Sequence, residues 1–204
     1  VLDILSHSMY VNETVDITAN QDCSWFSEKN FIASVNSEGV VTANHVGSTR
    51  LAAASENGIV YCDIEVKPRY TTFTDPILEF DKDKDYIKSK VNRPIKEEED
   101  NYISFEPENN KIHETRDIFK NNKLIAIYVW VNVGYELETT KYFIERYNLT
   151  IGPSSEYERG FINDESNQAT FEIILYRGYW GDDYMYKLIT YSPIGYVAPS
   201  PSIQ

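Results

Sequence analysis

The sequence predicts a multidomain chain. An all-β sandwich spans residues 1–68, and an α+β domain spans 69–197. The second domain is expected as two αβββ halves with an antiparallel sheet and helices on one face, and a loose tail follows at 198–204. Three observations carry this. Short apolar runs separated by turn residues fill the first third of the chain, the pattern of a sandwich rather than of a helical core. Only Tyr10 and Tyr61 of the 16 tyrosines precede residue 70, so a differently composed core begins there. Beyond it, a helical period followed by strand-like runs occurs twice.

In the first domain, residues 1–5 and 15–17 read as opening strands, with Asn12-Glu13 as the turn between them. Trp25 opens a short strand, residues 27–30 form a polar turn, and 32–35 form the next strand. Ser37-Glu38-Gly39 turns the chain into Val40-Val41-Thr42-Ala43, and Gly47 starts another strand through Ala53. Asn57-Gly58 predicts a two-residue hairpin, because a type I′ turn needs positive φ and this pair supplies it. The last strand runs over 59–66, with Val60, Cys62, Ile64 and Val66 on one face by period-2 alternation. Pro68 ends it.

The succession Trp25-x-Ser27, Ile32 to Val35, Gly39 to Ala43 and Val46 to Thr49 resembles the group 2 bacterial immunoglobulin-like domain. The resemblance covers about one third of the chain. It implies an immunoglobulin-like sandwich in a secreted or surface bacterial protein, where such domains act as spacers or adhesive modules. The two cysteines are not part of that pattern.

The second domain opens with helix-start chemistry at residues 81–91. Asp81, Asp83 and Asp85 suit the positive end of the helix dipole; Tyr86, Ile87 and Val91 form an apolar stripe, and Pro94 lies just beyond. Strands are expected at 102–105, 113–119 and 123–133. A second helix is expected at 137–147 with Tyr142, Phe143 and Tyr147 on one face, and strands follow at 157–162, 169–176 and 184–191. The run Pro76-Ile77-Leu78-Glu79-Phe80, a helix, then tyrosine-rich meander strands is similar to domains that follow immunoglobulin-like modules in secreted proteins of gut Bacteroidetes. That similarity implies location and no activity.

Charge and motifs exclude several function classes. With 32 acidic against 19 basic residues the net charge is −13, which opposes nucleic-acid phosphates and anionic lipid. No run of 18 apolar residues exists to span a membrane. The resemblance implies a secreted or cell-surface protein; the chain begins at Val1 without Met or a basic, apolar leader, so any signal peptide is expected to have been removed. Cys23 and Cys62 share strand parity with core residues. Either they pair as a disulfide, worth about 4 kcal/mol in the chain-entropy model, or they remain two buried thiols; the disulfide is the expectation.

No catalytic, metal or cofactor site is expected. His7, His45 and His113 lie far apart in sequence, and a metal or a nucleophile–base pair needs converging groups. Asp81-x-Asp83-x-Asp85 lacks the glycine and twelfth-position acid of a calcium loop, having Tyr86 and Asn92 there. Acid runs such as Asp182-Asp183 and Glu97-Glu98-Glu99 have no helper motif for glycosidase chemistry. The functional expectation is aromatic. Residues 176–186 read as two strands joined by a glycine-flanked loop, and Tyr179, Trp180, Tyr184 and Tyr186 are the candidate binding residues. Rings of this kind stack on apolar faces while their polar edges hydrogen-bond. Either Tyr179 and Trp180 stand in solvent to bind a glycan or a host or surface protein, or Trp180 folds back over the end of the sheet. Trp130 is expected in the core. A protein partner on the open face of the sheet is the alternative.

Overall fold

The computed structural model describes residues 1–152, 157–176 and 186–196. Among them the protein is mostly β, with fifteen strands in three sheets and two helices. Its contacts divide into two units: the first holds Val1–Tyr70 together with Tyr142–Tyr147, and the second holds the remaining described residues.

The first unit contains β1 (Ser6–Tyr10), β2 (Thr14–Asp16), β3 (Ser24–Ser27), β4 (Ala33–Val35), β5 (Val40–Ala43), β6 (Gly47–Ser55) and β7 (Gly58–Lys67). One sheet has the order β1-β7-β6-β3 and the other β2-β5-β4. Only β1 and β7 pair in parallel; the remaining pairs are antiparallel. Inward residues of both sheets share one apolar core, among them Met9, Ile17, Val41, Leu51, Cys62, Ile64 and Val66. The alternation expected for β7 is present: Cys62, Ile64 and Val66 are buried while Tyr61, Asp63 and Glu65 are exposed.

Turns fix the strand order. Gly39 has φ +86°, and a Cβ there would come within 2.3 Å of the Ile17 carbonyl oxygen, so glycine is demanded by both conformation and space. The Asn36 side chain secures this turn by accepting from the backbone N–H of Glu38 and Val40. The β6–β7 hairpin forms, but one position earlier than the type I′ expectation. Ser55 pairs with Gly58, so Glu56 and Asn57 are the loop residues, and of the Asn-Gly pair only Gly58 has positive φ.

The expected disulfide is corrected: Cys23 and Cys62 are free thiols. Ser24, next to Cys23, pairs with Ala54 on β6, which pairs with Ile59 on β7. Two strand spacings, about 9.5 Å, therefore separate Ser24 from β7, and Cys62 lies three residues further along it. A disulfide tolerates Cα atoms no more than about 7 Å apart.

A buried carboxylate ties the end of this unit together. Glu145 accepts from the backbone N–H of Arg69 and Tyr70, each at 3.0 Å, and from the Arg146 guanidinium at 2.6 Å. Its carbonyl accepts from Val46 N–H at 2.8 Å. A buried charge with this many donors is compensated rather than stranded.

The second unit contains α1 (Lys84–Lys90), β8 (Ile95–Glu98), β9 (Tyr102–Phe105), β10 (Ile112–Lys120) and β11 (Lys123–Asn132). After α2 (Glu136–Ile144), whose last residues belong to the first unit, come β12 (Asn148–Ile151), β13 (Tyr157–Ile162), β14 (Phe171–Tyr176) and β15 (Tyr186–Pro193). Its eight strands form one sheet of order β12-β13-β14-β15-β11-β10-β9-β8, antiparallel throughout. The αβββ expectation is corrected to a helix followed by a four-strand meander, twice. The two strands passed over, β8 and β12, are the sheet edges. Every residue of β8 is exposed, so no apolar alternation announces it. Helix α1 starts later than expected because Asp81 adopts φ +65°; Asp83 is the N-cap and accepts from Tyr86 N–H at 2.8 Å. Asn121 and Asn122, at φ +51° and +57°, make the two-residue turn from β10 to β11, the left-handed pair that a type I′ hairpin needs.

Directly opposed residues share a face of a sheet, so the register sorts the side chains. One face carries Ile103, Phe105, Ile127, Val129, Ile173, Leu175, Ile189 and Tyr191, all buried. Asp117 lies among them, opposite Ile103 and Ile127 and only 3% exposed. Burial raises its carboxyl to about 7, opposed only by the charge of Arg93.

Two outcomes follow for stability. Gly39→Ala should lower the urea midpoint by at least the equivalent of about 1–3 kcal/mol, the cost of a left-handed non-glycine residue, with the Cβ contact on the Ile17 carbonyl oxygen added to it; an unchanged midpoint contradicts the turn geometry. Asp117 ionises near 3.8 when unfolded and near 7 when folded. Its penalty is therefore absent below about pH 4 and grows as pH rises toward 7. Asp117→Asn should match the parent in unfolding free energy near pH 4 and exceed it near pH 7.5, by up to about 4 kcal/mol. Parallel pH profiles of the two proteins would refute this assignment.

Candidate functional site

The opposite face of the eight-stranded sheet is of another kind. Alternation on β11 sends Ala126, Tyr128 and Trp130 to it, and alternation on β10 sends Glu114, Arg116 and Ile118. Across the strands, Ser104, Arg116, Tyr128 and Thr190 line up in one row, and Glu114, Trp130 and Leu188 in the next. Ala126, Tyr128 and Leu188 form a small buried cluster, and Ile118, Trp130, Tyr176 and Tyr196 pack against it half-buried.

Above this floor sits a layer of rings and charges. The Arg116 guanidinium lies 4.3 Å from the centre of the Tyr102 ring and 5.3 Å from that of Trp130. Its Nε donates to Glu114 Oε1 at 2.9 Å, and its Nη2 lies 2.8 Å from the same oxygen. Lys96 Nζ stands 4.0 Å from the other Glu114 oxygen. Tyr128 meets Trp130 edge to face at 5.9 Å, an arrangement favoured by the ring quadrupoles. Arg116, Trp130 and Tyr102 are each only partly buried, so the layer keeps contact with solvent. The Ser104 hydroxyl, in the row of Arg116, is buried and has no hydrogen-bond partner among the described residues.

The titratable groups here are held neutral or paired. Burial, then the neighbouring Tyr176 and Tyr196, push the Tyr128 hydroxyl well above its ordinary value. Burial and a hydrogen bond to Glu97 raise Tyr102, against the opposing charge of Arg116. Burial, then Lys96, lowers His113, with Glu114 acting the other way. Burial raises the Glu172 carboxyl on the same face.

Of the four expected binding residues, Tyr179, Trp180 and Tyr184 lie outside the described residues. Tyr186 is at the start of β15, opposite Asn132, and thus on the same face as Trp130. Its ring stacks on His113 at 3.9 Å and 17°. Trp130, expected in the core, is corrected to a half-buried position on this second face. The run from Leu124 to Val131 is apolar on both faces because β11 is central, and that continuity hid the side on which Trp130 lies. Tyr102 and Arg116 are not among the expected binding residues, and the sequence weighs His113 only as a metal ligand or base. The signal present was the charged pair Glu114 and Arg116 at period 2, blurred by the polar Thr115 and Asp117 between and beside them.

Among the described residues no group of three or more His, Cys, Asp or Glu side chains could hold a metal ion. The Cys62 thiol is pushed up to about 11 by burial and then by Asp63 and Asp3, so it is not a reactive thiolate at neutral pH. His45 belongs to the first unit, its Nδ1 2.7 Å from the Phe31 carbonyl oxygen and its ring stacked on Phe31. No helix among the described residues is long and apolar enough to cross a membrane. No protein-family model matches the chain, and comparison with curated proteins gives no match.

The His113 environment gives a direct check. In the parent, its imidazole should titrate by NMR below 6.5, and Tyr186→Ala, which uncovers the ring, should move it back toward that value. No movement would mean that the stack does not bury His113.

Proposed function

We propose that the chain is a non-enzymatic, secreted or cell-surface bacterial protein. An immunoglobulin-like sandwich at residues 1–68 serves as spacer or platform and carries a ligand-binding α+β domain, whose ligand is a glycan or a host or surface protein. The observation that carries the reading is the half-buried layer of Tyr102, Arg116, Trp130 and Tyr186 on one face of the eight-stranded sheet. Rings with polar edges suit the apolar faces and hydroxyls of a sugar. The pairing of Arg116 with Glu114 holds the guanidinium in place between the two rings, in keeping with a binding surface.

A second reading, an inhibitor-like or assembly protein that docks a protein partner on this face, is favoured by its composition. Tyr, Trp and Arg dominate the energetic centres of protein interfaces, and here an arginine is pre-ordered between two rings. It predicts a stable one-to-one protein complex and no sugar binding.

The test is a glycan array probed with the whole chain beside its Trp130→Ala variant. The glycan reading expects signal from the parent and at least a ten-fold loss in the variant. Silence from the parent moves the ligand to the protein class. An unchanged signal in Trp130→Ala removes this face as the site.

A further inference from the structure

The outer face of the β1-β7-β6-β3 sheet carries a second surface, in the first unit, that a mere spacer does not require. Phe26 on β3, Ala52 on β6 and Tyr61 on β7 form one cross-strand row, and Ser24, Ala54 and Ile59 form the next. Phe26, Ile59 and Tyr61 are 58%, 57% and 44% exposed. With alanines between them, the rings and the isoleucine make a shallow apolar shelf. The Arg50 guanidinium lies 4.8 Å over the Tyr61 ring and is held there by Glu28 at 2.6 Å.

Along the same strands the shelf gives way to a polar groove of about 660 Å³. Its lining includes the short side chains of Ser6, Ser8 and Ser48 and the carboxylates of Asp63 and Glu65. Register explains the hollow. Ser6 opposes Asp63, and Ser8 and Ser48 both oppose Glu65, so small residues flank Glu65 on both sides and Asp63 on its β1 side, with Arg50 opposite Asp63 on β6. Ser8 donates to Glu65 at 2.8 Å. The volume falls within the range of ligand sites.

We propose that this shelf and groove form a binding site for a neutral oligosaccharide, so that the first unit is itself a recognition module. Flat apolar surface beside hydrogen-bonding groups matches the two kinds of surface a sugar ring presents. Tyr61, Asp63 and Glu65 point the same way along β7 and span roughly 13 Å, a run suited to several linked sugars rather than one. Carboxylates accept paired hydroxyl donors well, and Asp63, Glu65 and the serines supply acceptors and donors in one line. Charge favours neutral over acidic sugars: the groove is lined by Glu28, Asp63 and Glu65 against Lys29 and Arg50, with Arg50 paired with Glu28 and Glu65 with Lys67. The site is independent of the second-unit face.

The experiment measures binding of the whole chain to a printed set of neutral gluco-, galacto-, manno- and xylo-oligosaccharides, followed by calorimetry on any that bind. Tyr61→Ala and Asp63→Asn alter exposed side chains, and an unchanged thermal midpoint shows that each variant is folded. The proposal expects a neutral oligosaccharide to bind the parent and both variants to weaken it at least ten-fold. It is overturned if the parent binds none of the set, or if both folded variants bind as the parent does.

Discussion

The second unit depends on one ladder, the antiparallel pairing of β11 with β15 from Ile127↔Tyr191 to Asn132↔Tyr186. Each half of the unit is a meander of neighbouring strands, which local turns can close. Only this ladder joins strands distant in sequence, and it makes two four-strand pieces into one sheet. It also puts β11 and β15 in the middle of the sheet, where most side chains are buried or half-buried. Long apolar runs such as Leu124 to Val131 result, while the edges β8 and β12 stay polar and short. The ring-bearing face is a consequence of the same register: Trp130 and Tyr128 reach Arg116 because β10 and β15 flank β11.

The first unit is governed by a different economy of side chains. Its core is filled through strict alternation on β6 and β7, with Leu51, Cys62, Ile64 and Val66 inward. The outward positions of the same strands are free of packing duty. They carry an apolar shelf at one end and serines beside acids at the other, a division that core formation does not impose. Glu145 adds a polar tie, capping the N–H groups of Arg69 and Tyr70.

Much of this was legible in the sequence where one physical signal acted alone. The period-2 pattern of β7 and the glycine turn at Gly39 appear where local chemistry places them, and the aspartates that announce α1 include its N-cap Asp83, although the helix starts later than expected. The hairpin at Asn57-Gly58 was legible as a turn, but pairing shifted its loop to Glu56-Asn57, while the doubly left-handed turn fell to Asn121-Asn122. Edge strands went unread because solvent exposure leaves Ile95 to Glu98 without alternation. The fate of the cysteines was decided by strand order: parity pointed both inward, but β6 lies between β3 and β7. The candidate site was least legible. Tyr102, Arg116 and Trp130 come from three strands, and only the register brings them into one layer. Tyr186 was found because it sits beside a glycine-flanked loop, and its stacking partner His113 is 73 residues away.

The central claim is that the eight-stranded sheet has one sealed face and one face of rings open to solvent. Hydroxyl-radical footprinting of the intact protein tests it most directly, by reading side-chain oxidation residue by residue. The account predicts ready labelling of Tyr102, His113, Trp130 and Tyr186, with Phe105, Phe161 and Tyr191 protected. Protection of Trp130 and Tyr102 to the level of Tyr191 would mean that the second face is closed, and it would contradict the account.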